Sequence, residues 1–141
     1  LFRSGAHVLY LDDDEVITPM ARQLLSRGGY LVTTHTDSTS AIAALRDPTQ
    51  KFDIVVTDYN MPVRNGLDVI RLLQDFAPAL PVVLTSGYID DALRAQAESL
   101  GVRQLLNKED LHESLCHMVA EALSSVRPES SRGATAERRD A

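Results

Sequence analysis

Five positions carry reactive or charge-handling side chains where an apolar run gives way to polar residues. Asp12 and Asp13 follow HVLYL, Asp58 follows FDIVVT, Ser86 follows PVVLT and Lys108 follows VRQLLN. Two or three carboxylates gathered in one pocket repel one another unless a cation or protons intervene. Carboxylate oxygens, a backbone carbonyl and water suit Mg²⁺. A hydroxyl and a lysine opposite them suit the oxygens of a phosphoryl group. Together they point to phosphoryl transfer, with Asp58 as a carboxylate nucleophile that becomes an aspartyl-phosphate.

That chemistry requires elements that bring distant residues to one place, and residues 52–66, FDIVVTDYNMPVRNG, are the centre of the pattern. Ile54, Val55 and Val56 form a continuous apolar, β-branched run, as in a strand buried on both faces. Asn60, Pro62, Asn65 and Gly66 supply turn chemistry before a helical stripe begins at Leu67. Gly66 marks a backbone requirement in that turn.

Strands are expected at His7–Leu11, Tyr30–Thr34, Phe52–Thr57, Val82–Thr85 and Val102–Leu106. Between and after them the apolar spacing predicts helices. The first starts close to Val16, with Pro19 in its first turn, and stops at Gly28 and Gly29. The second is capped by Ser38 or Thr39 and runs through Leu45. The others cover Leu67–Phe76, Ile89–Leu100 and Leu111–Ala122. Five strands alternating with five helices imply an α/β fold, a parallel sheet with helices on both faces. Such a sheet carries all its carboxyl strand ends, and so all five chemical positions, on one edge.

Composition limits the alternatives. The chain has 141 residues and a formal net charge of −6, which argues against a nucleic-acid binder working through a broad basic surface. No run of 18 apolar residues marks a membrane span, and no signal-peptide pattern is visible. A single cysteine, Cys116, excludes an internal disulfide and reads as a small packing residue. Leu1 stands where a start methionine would, so the reading is of a fragment of a larger protein. Residues 1–6 read as a lead-in, 7–123 as one domain, and 124–141 as a linker, a disordered tail or an extension of the last helix.

Four motifs, LDDDE at 11–15, TDYNMPVRNG at 57–66, PVVLTSG at 81–87 and LLNK at 105–108, resemble those of the receiver domain of two-component response regulators. The resemblance covers about residues 7 to 123. It implies a flavodoxin-like, doubly wound, five-stranded sheet of order 2-1-3-4-5. It also implies that Asp58 is the phosphorylated residue, and that Asp12 and Asp13 bind a divalent ion, Mg²⁺ or Mn²⁺. Asn60 matches the position whose carbonyl joins Asp12, Asp13 and Asp58 around that ion. Ser86, five residues after Pro81, matches the switch hydroxyl, and Lys108 the family's lysine. The implied partner is a histidine kinase or histidine phosphotransfer domain, with a homodimer as a further option. Neither nucleic acid nor membrane is expected to contact the domain directly, and the setting is cytoplasmic, including the cytosolic part of a membrane-bound hybrid sensor kinase.

Two positions depart from the family's pattern. Glu109 stands where a proline joined by a cis bond usually follows the lysine; a non-proline cis bond costs roughly 2.5–4 kcal/mol, so the expectation is a trans bond or a cis bond held by strong local packing, with a shifted Lys108 as a further option. Leu105 replaces an aromatic that often couples the switch to the output face. These departures motivate a second reading, a phosphorylation-independent interaction module. A third, a free-standing phosphatase, lacks any visible cap or substrate insert. Asp14 and Glu15 are read as helix-start acids rather than ligands. His35, His112 and His117 are read as surface or boundary residues. Tyr88 is read either as rim of the pocket or as an ordinary half-exposed aromatic. Leu93, Ala97 and Leu105 are read as core, with a partner face as the alternative.

Overall fold

The computed structural model describes residues 5–102 and 104–125. The expected tail lies outside these residues, apart from Ser124 and Ser125. Among the described residues, five parallel strands form one sheet in the order β2-β1-β3-β4-β5. The strands are β1 His7–Leu11, β2 Leu31–His35, β3 Ile54–Asp58, β4 Val82–Ser86 and β5 Gln104–Asn107. The helices are α1 Ile17–Arg27, α2 Ser38–Arg46, α3 Gly66–Phe76, α4 Asp91–Ser99 and α5 Leu111–Ser124, with a single 3₁₀ turn at Lys108–Asp110. This is the expected flavodoxin-like architecture. No described helix is long and apolar enough to cross a membrane.

Strand alternation divides the core. Val8 and Tyr10, Ile54 and Val56, Val83 and Leu106 face Ala21 and Leu25 of α1 and Leu115 and Val119 of α5. Leu9, Leu11 and Val55 face α2 and the near side of α3. Leu84 packs with Leu67 and Ile70 of α3 and with Leu93 and Ala97 of α4. Leu93 and Ala97 are buried and Leu105 packs against them, so this stripe is core. Cys116 is half-buried, and its thiol donates to the Leu24 carbonyl at 3.3 Å.

Several boundaries differ from the expected ones, and hydrogen bonds explain why. Asp37, not Ser38 or Thr39, caps α2: its backbone is extended and its carboxylate accepts the Ser40 N–H at 2.7 Å. Asp90 does the same for α4, accepting the Leu93 N–H at 2.8 Å, so Ile89 precedes the helix. At the other end of α4, Gly101 (φ +82°) and Val102 donate to the carbonyls of Glu98 and Ala97. Val102 therefore belongs to the helix stop, and β5 starts later than its apolar side chain suggests. Pro19 is the third residue of α1, within the first turn, where its missing N–H costs no internal bond.

One connection is strained. In the β3–α3 loop the Arg64 N–H reaches back to the Pro62 carbonyl at 2.7 Å, a γ-turn centred on Val63. Val63 has φ +70° and is among the described residues the sole non-glycine with positive φ. A β-branched side chain is an outlier there, and the conformation costs on the order of 1–2 kcal/mol. Val63 is also exposed, so little packing is lost by replacing it. Val63→Asn is expected to stabilise the fold by about 1 kcal/mol, read as a higher urea midpoint with an unchanged slope.

Candidate functional site

Asp12, the residue after β1, and Asp58, the last residue of β3, are both almost completely buried. Leu11 pairs with Thr57, so Asp12 and Asp58 occupy neighbouring places at the carboxyl edge of the two central strands. They share strand parity with Tyr10 and Val56, whose side chains face α1 and α5. Asp13 is exposed, yet Asp12, Asp13 and Asp58 each bring one carboxylate oxygen within 4.8 Å of the others.

Lys108 arrives from the edge of the sheet. Its ammonium lies 3.0 Å from Asp12 Oδ2 and 3.1 Å from Asp58 Oδ1. None of the described peptide bonds is cis, and Glu109 has not displaced the lysine from the acids. Instead Asn107 caps the 3₁₀ turn, its Oδ1 accepting the Glu109 N–H at 2.9 Å, and this fixes where Lys108 leaves the backbone.

Asp12 is the most constrained of the acids. Its Oδ1 accepts the Asp14 N–H at 2.9 Å, and its backbone carbonyl accepts the Thr18 hydroxyl at 3.0 Å. Asp14 turns away from the pocket: its carboxylate accepts the N–H groups of Val16 and Ile17 at the start of α1. Those bonds hold the Asp14 carboxyl below the usual range, the helix-start role expected of it. Sequence reasoning missed Tyr10, whose phenol lies 3.5 Å from Asp12 Oδ2. The signal was available in strand alternation, because Tyr10 and Asp12 are two residues apart.

Gly66 shows why the loop after Asp58 returns so tightly. Its N–H donates to the Tyr59 carbonyl at 2.8 Å. A Cβ at Gly66 would lie 2.6 Å from the Asp58 carbonyl oxygen and 2.7 Å from Leu84 Cδ1. The glycine is needed for close approach of α3 to the strand end, not for an unusual dihedral. Asn65 and Asp68 close a reciprocal capping box that sets the start of α3.

Ser86 is engaged away from the ion-paired group, with the backbone of the β4–α4 loop. Ser86 has the parity of Leu84, which faces α3 and α4, and its hydroxyl donates to the Tyr88 carbonyl at 2.8 Å while accepting the Tyr88 N–H at 3.2 Å. Tyr88 is strongly exposed. Asn60 is exposed, and its backbone N–H interacts with the Asp58 carboxylate. The buried Thr85 hydroxyl has no hydrogen-bond partner among the described residues.

Burial, and then the charge of Asp12, push the Asp58 carboxyl up to about 6, with Lys108 and the Asn60 N–H opposing the rise. Burial works against the Lys108 ammonium, but Asp12 and Asp58 outweigh it and raise its pKa. The pocket is therefore short of positive charge even with the lysine in place. Three converging carboxylates form an oxygen-only donor set, which fits a hard divalent cation such as Mg²⁺ or Mn²⁺.

The family model described as "Response regulator receiver domain" matches residues 8–120. The chain belongs to this family. Receivers of solved structure share its fold: one from Clostridium thermocellum is 26% identical, with a TM-score of 0.78, covering 85% of this chain and 95% of that one. Among curated relatives, "Probable transcriptional regulatory protein TcrX" of Mycobacterium tuberculosis is 43% identical over 77 residues, 55% of this chain and 32% of the relative. FixJ of Bradyrhizobium diazoefficiens is 27% identical over 122 residues, 86% of this chain and 58% of the relative. The chain thus spans less than two-thirds of either curated relative. Its acidic cluster and its family membership together support a phosphoacceptor site in this receiver.

Two tests follow from the geometry. Between about pH 4, the ordinary carboxylate range, and about pH 6, the folded protein holds more protons at Asp58 than the unfolded chain. In metal-free buffer the Asp58 contribution to stability therefore falls as pH rises through that window. Urea midpoints are expected to show Asp58→Asn flattening this trend and stabilising the receiver at neutral pH by on the order of 1–3 kcal/mol. Gly66→Ala is expected to destabilise it by about 1–3 kcal/mol in the same measurement, since backbone rather than a flexible side chain must give way.

Proposed function

We propose that this receiver accepts a phosphoryl group on Asp58 from a phosphohistidine of a histidine kinase or histidine phosphotransfer domain. The observation that carries the reading is the Lys108 ammonium held within 3.1 Å of Asp58 beside a second buried aspartate. A carboxylate oxygen of Asp58 would attack phosphorus, the P–N bond to the donor imidazole would break, and its electron pair would return to the ring nitrogen. The raised Asp58 pKa does not block this, because a carboxyl titrating near 6 is mostly ionised at neutral pH.

Asp12, Asp13, Asp58 and the Asn60 carbonyl would hold Mg²⁺ or Mn²⁺. When bound, that ion supplies the positive charge that phosphoryl oxygens and clustered carboxylates both require. Lys108 lies close enough to move from Asp58 to a phosphoryl oxygen, since one Asp58 oxygen is already its partner. Ser86 would have to release the Tyr88 carbonyl before its hydroxyl could donate to the phosphoryl group. That exchange links the charge at Asp58 to the β4–α4 loop through a residue other than Leu105. The interaction-module reading rested on Glu109 and Leu105, and the contacts of Lys108 with both acids remove the first of those motives.

Incubation with Mg²⁺ and acetyl phosphate, followed by intact mass, is expected to add one phosphoryl group, with none in Asp58→Asn or in chelator. An unchanged mass for the unaltered protein, under conditions where a known receiver is modified, would overturn the reading.

A further inference from the structure

The Tyr10 side chain is 1% exposed and ends at the acidic pocket. Its phenol has one hydrogen-bond partner among the described residues, Asp12 Oδ2, at 3.5 Å, a weak contact longer than the usual O–H···O distance. The same oxygen accepts the Lys108 ammonium at 3.0 Å. Two donors of different kinds thus converge on one carboxylate oxygen. One is a flexible cation from the sheet edge; the other is a neutral phenol fixed by the packing of β1 against α1 and α5. A phenol keeps its proton at neutral pH and so remains a donor.

We infer that Tyr10 is a positioning residue for the Asp12 carboxylate, holding Oδ2 from the core side so that Asp12 keeps its orientation when Lys108 turns toward a phosphoryl oxygen. The inference rests on the metal-binding and phosphoacceptor reading of the pocket. The Asp14 N–H already fixes Oδ1, so without Tyr10 the departure of Lys108 would leave Oδ2 with no side-chain donor among the described residues. Carboxylates that bind metal depend on such outer hydrogen bonds, and losing one typically costs about 10–100-fold in affinity. The long distance here places the expected effect at the low end.

Tyr10→Phe keeps the ring and removes only the hydroxyl. Calorimetric titration with Mg²⁺ is expected to give a Kd about tenfold weaker than that of the unaltered protein. Thermal unfolding in chelator, measured alongside, reports the fold. The effect should be greater in a Lys108→Met background, where Tyr10 is the only side-chain donor left to Oδ2 among the described residues, than where Lys108 remains. An unchanged Mg²⁺ affinity in both backgrounds would overturn the inference while leaving the site reading intact. So would a weakening that tracks a loss of folded protein at the titration temperature, since that is a structural role alone. If the unaltered protein shows no saturable Mg²⁺ binding, the metal reading fails and this inference fails with it.

Discussion

The arrangement at the sheet edge depends on one electrostatic constraint: Asp12 and Asp58 are buried side by side with the Lys108 ammonium between them. Burial first, and then the like charge of Asp12, push the Asp58 carboxyl toward its protonated form. Lys108 relieves part of it through two contacts near 3 Å. The residue is held by a 3₁₀ turn whose cap is Asn107, so the motif LLNK supplies both the cation and the backbone feature that aims it. A hard divalent ion would add positive charge there, and one carboxylate oxygen from each of Asp12, Asp13 and Asp58 already lies within 4.8 Å of the others.

The fold supplies that convergence through parity. In β1 and β3 the chemical residues continue the alternation of Tyr10 and Val56, so both acids rise on the α1 and α5 side of the sheet. Ser86 continues the alternation of Leu84 and starts from the opposite side. Its hydroxyl is engaged with the Tyr88 backbone in both directions. The two sides of the edge thus have separate tasks. One gathers charge, and the other holds the β4–α4 loop through the Ser86 hydroxyl.

Local strain and close approach cluster around Asp58. Gly66 lets α3 touch the backbone of the strand end, and Val63 sits in a left-handed conformation in the same connection. The loop is short, and its ends are fixed by the last residue of β3 and by the capping box of α3, so the middle residues absorb the mismatch. Tyr10 adds a further constraint from below, where a tyrosine in place of an aliphatic residue gives the buried layer a polar tip directed at Asp12.

Much of this was legible in the sequence. Apolar runs placed all five strands, turn residues separated them from the helices, and acids and a lysine at the run ends marked the edge where they meet. The apolar pattern is set by burial, and burial in a parallel sheet repeats strand after strand. Less legible were features that depend on where a backbone N–H finds its partner. Asp37 rather than Ser38 caps α2, and Val102 completes the stop of α4 rather than opening β5, because these choices turn on dihedral angles that neighbouring residue types do not fix. The sequence by itself determined which residues reach the carboxyl edge. Only the tertiary structure decided that Lys108 bridges Asp12 and Asp58, that Ser86 is held by Tyr88, and that Tyr10 lies beneath the acids, since contacts between strands follow from register and packing that no single segment contains.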